Sequence, residues 1–271
     1  MNDRHDLDSS ASVLKLIPKC LESGSAAVLI TVIDASEFVG AKLLVDEQAN
    51  QSGTLGAPGL DELTILHALK FLESREEIRA VRVKEIAAQS TFAETLLLFE
   101  RLQPEPRLVV CGAGHVGAAL AKLAAFAGYR VTLIDDRAEF LKPDSFGDER
   151  ITLTLASDWT EAVRSALGSG KGVAIAIVTR GHNEDERCMR AAIATRPDYL
   201  GLIGSKRRTS IVINRLREAG ASEEQLKQVR APIGLDIGAV TPEEVALAIL
   251  AEVVCERRGG AGGSLSAWRR S

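Results

Sequence analysis

The spacing of apolar and polar positions changes rhythm once along the chain, at the proline-bearing stretch "LQPEPR". Before it, "AAVLITVID" is a β-rich apolar run, and "GAKLLVDEQANQSGTLG" reads as a strand, a polar turn and a short second strand. "LDELTILHALKFLES" carries Leu63, Leu66, Leu69 and Leu72 at helical spacing and predicts an amphipathic helix. "AVRVKEI" and "LLLFER" supply two further strands. The leading "MNDRHDLDSS" is polar and acidic, lacks the apolar core of a secretion signal, and reads as a frayed arm ahead of the first helix.

Pro104 and Pro106 each remove a backbone donor and push the preceding residue out of helical geometry, so the stretch reads as an extended linker. Beyond it, strand and helix alternate. "RLVVC", "YRVTLID", "ITLTL", "VAIAIV" and "YLGLIG" are the strands, with helices filling the gaps, which implies a parallel sheet wound by right-handed crossovers. "TPEEVALAILAEVVCERR" closes the region as a long helix, with Thr241 as N-cap, Pro242 in the first turn, and Glu243 and Glu244 at the positive end. Its apolar residues fall on more than one face, which points to burial and allows a homodimer contact. The fold class is therefore α/β: a C-terminal Rossmann-like doubly wound parallel sheet, residues 107–258, preceded by a smaller N-terminal α+β domain, residues 12–103. The glycine-rich residues 259–271 form a flexible tail.

Composition narrows the class. Over 271 residues the hydrophobic fraction is 46%, the charged fraction 26% and the formal net charge -4. That balance is ordinary for a globular protein and argues against a nucleic-acid groove. No apolar run approaches the roughly 18 residues that would span a bilayer, so no membrane partner is expected. Cys20, Cys111, Cys188 and Cys255 form no CxxC pair, which disfavours a zinc ribbon and fits a reducing, cytoplasmic setting.

Chemistry concentrates at the carboxyl ends of the later strands. Gly112, Gly114 and Gly117 fit G-x-G-x-x-G between a strand and a helix. In that arrangement the first glycine allows a tight turn, the second lets backbone approach a pyrophosphate, and the third lets helix and strand pack closely. Asp135, at the end of the next strand, suits a ribose 2′-hydroxyl and points to NAD; Arg137 pulls towards NADP. His115, in the first helical turn, reads either as a neutral hydrogen-bonding group beside a ligand or as a solvent-facing loop histidine. "TRGHNED" places Arg180, His182 and Asp185 beyond the fourth strand, where His182 is a candidate general acid or base and Asp185 its orienting partner. "IGSKRR" adds Ser205 and the basic cluster Lys206, Arg207 and Arg208, which suits a phosphate or an anionic cofactor and reads otherwise as a solvated helix start. No residue set reads as a metal site.

"GAGHVG", "IDDR", "TRGHNED", "YLGLIGSKRR" and "PIGLDIGAVTPEEVALAILAE", in this order, closely resemble the xanthine dehydrogenase accessory family, XdhC/CoxI. "VLITVIDAS" and "GAKLLVDEQANQSGTLG" resemble that family's first domain. The resemblance implies a chaperone that binds molybdenum cofactor (molybdopterin or its dinucleotide form), shelters it during sulfuration by a cysteine desulfurase, and delivers it to a molybdenum hydroxylase apoenzyme. In that reading Gly112, Gly114, His115, Gly117, Asp135, Arg180, His182, Ser205 and Lys206 contact the cofactor. The chain departs from the family where "ASEFV" replaces a Gly-Ser-x-Pro-Arg stretch, and where "APGLDE" keeps only Gly59 and Glu62 of a glycine-rich acidic segment. Two other readings stand beside the chaperone: an NAD(P)-dependent oxidoreductase using His182, and an interaction protein with a vestigial cradle.

Overall fold

The computed structural model describes residues 3–22, 24–74 and 76–266. The chain divides into two compact units, residues 1–104 and 105–271.

In the first unit, helix α1 (Asp3–Glu22) takes in most of the segment expected to be a frayed arm. Strands β1 (Ala27–Asp34), β2 (Lys42–Asp46), β3 (Gln51–Thr54), β4 (Ile78–Arg82) and β5 (Leu96–Leu102) form one antiparallel sheet in the order β3-β2-β1-β5-β4. Asp46 sets the β2–β3 turn, its Oδ1 accepting the N–H groups of Gln48 and Asn50, both at 2.9 Å. The central strands alternate their side chains between two cores. Val28, Ile30, Leu43, Val45, Leu97 and Phe99 face helix α2 (Pro58–Glu73), while Leu29 and Leu44 face Val13 and Ile17 of α1.

Two local features refine the expected pattern. The amphipathic helix α2 forms; its fully buried line is Leu60, Thr64, Ala68 and Phe71, Leu69 and Leu72 pack partly buried against the same core, and Leu66 is 68% exposed. Ala68 is fully buried in the core between α2 and the sheet. "VKEI", expected to continue a strand, is instead the short helix α3 (Val83–Ile86), because Glu85 turns back to accept the Arg82 N–H at 3.0 Å.

The second unit is a six-stranded, wholly parallel sheet. Its elements, in chain order, are β6 (Arg107–Cys111), α4 (His115–Phe126), β7 (Arg130–Asp135), β8 (Ile151–Leu155), α5 (Trp159–Leu167), β9 (Val173–Ile177), α6 (His182–Thr195), β10 (Tyr199–Leu202), α7 (Lys206–Glu218), α8 (Glu223–Lys227), β11 (Val229–Arg230) and α9 (Pro242–Arg258). The sheet order is β11-β10-β9-β6-β7-β8. Strand order therefore reverses between β6 and β9, the place where open α/β sheets hold ligands. β9 is buried along its whole length, as a central parallel strand covered on both faces must be. Helices α4 and α9 cover one face; α5, α6 and α7 cover the other. Two-residue β11 is a sixth strand that the apolar rhythm does not announce. α9 starts as expected, with Thr241 and Glu244 capping reciprocally, and it buries Ala246, Ile249, Leu250 and Val253 while leaving Leu247 half exposed.

Candidate functional site

Loops after β6, β7, β9 and β10, with the first residues of α5 and α9, enclose a cleft of about 460 Å³. The three loop glycines have different reasons to be glycine. Gly112 has φ +110°, and an added Cβ would lie 2.7 Å from the Val178 carbonyl oxygen. On Gly117 a Cβ would fall 1.7 Å from the Gly112 carbonyl oxygen. On Gly114, the N-cap of α4, it would meet nothing within 4 Å, because that position opens into the cleft. Two of the glycines therefore build the loop, and the third leaves room beside the free N–H groups of the helix start. His115 is exposed and lines the same cleft.

Asp135 is only 1% exposed, and its carboxylate is fully engaged. Oδ2 accepts the Ala113 N–H at 2.6 Å and Arg137 Nη2 at 3.0 Å; Oδ1 accepts the Arg137 backbone N–H at 3.0 Å and Nε at 2.8 Å. Burial by itself would raise this carboxyl, but the Arg137 side chain and the backbone donors outweigh it and hold the group below its ordinary value. Asp135 thus fastens the glycine loop to the end of β7. A carboxyl lowered in this way contributes stability above its unfolded pKa of about 3.9, and that stability is lost as pH falls through the lowered folded value. Asp135→Asn is expected to cost about 2 kcal/mol at pH 7, with the gap to the parent narrowing towards pH 3; urea midpoints at the two pH values check it.

The next residue is the more open one. The Asp136 side chain is 30% exposed, lines the cleft, and pairs loosely with Arg137 Nε at 3.7 Å and Arg180 Nη2 at 3.5 Å. Arg137 lies over Phe140, its Cζ 3.9 Å from the ring centroid.

Beyond β9, the Asp185 carboxylate is hydrogen-bonded to partners other than His182. Asp185 is fully buried; its Oδ1 accepts the Thr179 hydroxyl at 2.6 Å and its Oδ2 accepts Arg208 Nη2 at 2.6 Å. Burial pushes the Asp185 carboxyl up, against the Thr179 hydroxyl and the Arg208 guanidinium. His182, the first residue of α6, is exposed and, among the described residues, donates no hydrogen bond to Asp185. Ser205 caps α7 by accepting the Arg208 N–H at 3.2 Å, and Lys206 is exposed outside the cleft lining. Of the basic triplet, Arg208 is the member that reaches the cleft, and its Nε is buried without a hydrogen-bond partner among the described residues. Trp159 Nε1, also on a cleft-lining residue, is likewise buried and unpartnered among the described residues. Arg208 belongs to the basic cluster that the sequence offered for an anion, whereas Asp136 and Trp159 are cleft residues to which sequence reasoning gave no role.

In the N-terminal unit, the divergent "ASEFV" segment brings Phe38, at φ +64°, against Gly56, where a Cβ would fall 2.1 Å from Phe38 Cγ. Asp61 holds the facing turn through the Thr54 hydroxyl and the Leu55 N–H, both at 2.7 Å. Gly59 and Glu62 lie in the first turns of α2. No group of three or more His, Cys, Asp or Glu residues placed to hold a metal ion occurs among the described residues, and none of the helices searched is long and apolar enough to cross a membrane.

The fold and cleft define a two-unit protein whose larger unit is a nucleotide-cradle α/β domain. The chain matches the XdhC Rossmann domain over residues 108–253 and the XdhC and CoxI family over residues 20–83, and it belongs to the XdhC family. It is 32% identical to the uncharacterized protein YqeB of Escherichia coli, across 82% of this chain and 41% of that protein. It is 25% identical to the molybdenum cofactor insertion chaperone PaoD of Escherichia coli, across 92% of this chain and 89% of that protein. The crystal structure of a xanthine dehydrogenase from Bacillus halodurans shares the fold, with TM-score 0.68 at 18% identity, over 92% of this chain and 67% of that one. The chain thus spans less than half the length of YqeB.

Proposed function

We propose that this chain is an accessory factor in molybdenum cofactor maturation and that its glycine cleft holds the cofactor by the phosphate end. The observation that carries the reading is Gly114: an open position at the start of α4, inside an otherwise close-packed loop, on a chain of the XdhC family. The residues fit an anionic terminus. Gly112 and Gly117 shape the loop, the α4 N–H groups face the opening, and Arg180 and Arg208 supply positive charge at the rim. When bound, the cofactor supplies the molybdenum chemistry, and this chain binds, orients and shields it. The same reading takes a molybdenum hydroxylase apoenzyme of the xanthine or carbon monoxide dehydrogenase type as client, and a cysteine desulfurase as sulfur donor. A homodimer through α9 belongs to it as well.

The oxidoreductase alternative asks His182 to move a proton with Asp185 behind it. Asp185 is committed instead to Thr179 and Arg208, which weighs for a holder over a catalyst.

The test is to purify the protein from cells that make the cofactor and to assay pterin by oxidation to its fluorescent product. Parent protein is expected to carry pterin. Gly114→Val, which meets no neighbour at Cβ, is expected to cost less than about 1 kcal/mol of stability and to lose the pterin. Parent protein carrying NAD or NADP and no pterin would overturn the reading.

A further inference from the structure

The cleft contains two adjacent aspartates, and the structure gives them different work. Asp135 ends β7 and Asp136 follows it; both approach Arg137 Nε, at 2.8 and 3.7 Å, but they differ in how fully they are engaged. Each Asp135 oxygen already accepts two donors, and the residue is almost wholly buried. A carboxylate has about four acceptor positions in all, so nothing is left over for a ligand. Asp136 is the reverse case. Its contacts, at 3.5 and 3.7 Å, are longer than any Asp135 bond, it is partly solvated, and it lines the cleft.

We infer that Asp136 is the carboxylate that reads the ribose 2′-hydroxyl of a nucleotide bound in this cleft, with Arg180 as its displaceable partner. Arg180 is 54% exposed, so its pairing with Asp136 is solvent-screened and is exchanged at little cost. Arg137 does not exchange in this way. Its guanidinium is held by Asp135 and lies against Phe140, which fixes one side of the Asp136 site as a rigid wall. A ribose entering beside that wall presents a hydroxyl donor to Asp136, and the charged acceptor makes the bond a strong one. The site thereby selects a ribonucleotide over its 2′-deoxy counterpart. Loop anchoring and sugar reading, carried elsewhere by one acidic residue at this strand end, are divided here between neighbours.

This inference rests on the reading of the cleft as a cradle for a phosphate-bearing nucleotide. The test measures binding of ADP, CDP and GDP, and of the three 2′-deoxy forms, to the full chain by titration calorimetry. Parent protein is expected to favour at least one ribonucleotide over its deoxy form by about tenfold. Asp136→Ala, which removes both acceptor oxygens, is expected to bring that ratio close to one. Asp135→Asn is expected to weaken ribo and deoxy forms together and keep the ratio. An unchanged ratio in Asp136→Ala, or a ratio lost in Asp135→Asn, overturns the assignment while leaving the cradle intact. Parent protein that binds none of the six at millimolar concentration overturns the cradle reading, and the assignment with it.

Discussion

Asp185→Ala is expected to destabilise the C-terminal unit by about 4 kcal/mol, out of proportion to the removal of one carboxylate. Asp185 is fully buried and joins three segments: its own helix α6, Thr179 in the loop after β9, and Arg208 in the first turn of α7. Arg208 Nη2 also reaches the Thr179 carbonyl at 3.3 Å. With the carboxylate gone, a largely buried guanidinium loses its counter-charge, and the Thr179 hydroxyl loses its 2.6 Å acceptor. The cost comes from what is stranded more than from what is lost. The double variant Asp185→Ala with Arg208→Met removes the stranded charge and is expected to recover at least half of the loss, a coupling read from the four urea midpoints of the cycle. Additive single effects would show instead that the two side chains act separately. Because the same bonds hold the loops after β9 and β10 at the cleft, the single variant is also expected to weaken whatever the cleft binds.

The larger architecture was legible because parallel strands buried on both faces advertise themselves as continuous apolar runs, and "VAIAIV" and "RLVVC" carry little else. The start of α9 was legible because Thr241, Pro242 and Glu244 are local signals acting within one turn. What escaped depends on contacts distant in sequence. β11 is two residues long and exists because it lies beside β10. The deepest line of α2 runs through Thr64 and Ala68, a polar and a small residue that leucine spacing does not mark.

The cleft divides along the same line. Glycine identities followed from the motif, but their separate reasons required knowing what surrounds each missing Cβ. In "KRR" the three cations differ by about 100° of helical rotation per residue, so only one can face a given cleft; Arg208 does, and Lys206 does not. Asp135 was singled out by its place at the strand end, and that place is also what puts its carboxylate within reach of the Ala113 N–H and takes it out of circulation. Spacing located the acidic pair, but hydrogen-bond saturation decides which member remains available.

Gly117→Ala is expected to be the most damaging single methyl in the glycine loop, at about 3 kcal/mol. The new Cβ would lie 1.7 Å from the Gly112 carbonyl oxygen and 3.2 Å from Val178 Cγ2. The first contact is backbone, so no rotamer change relieves it. Relief requires α4 to move away from the loop after β6, and α4 is not free to move: Leu120, Ala121, Ala124 and Ala125 are packed into the core that also holds Ile249 and Val253 of α9. The displacement is therefore resisted along the whole helix, and it also draws the α4 N–H groups away from the position a phosphate would take. Stability and ligand affinity are expected to fall together in Gly117→Ala, whereas Gly114→Val loses affinity with its urea midpoint close to the parent's. If Gly117→Ala unfolds at the parent's urea concentration, close packing of α4 against the glycine loop is not what holds the cradle in shape. The two variants side by side thus separate the glycine that builds the cradle from the glycine that keeps it open.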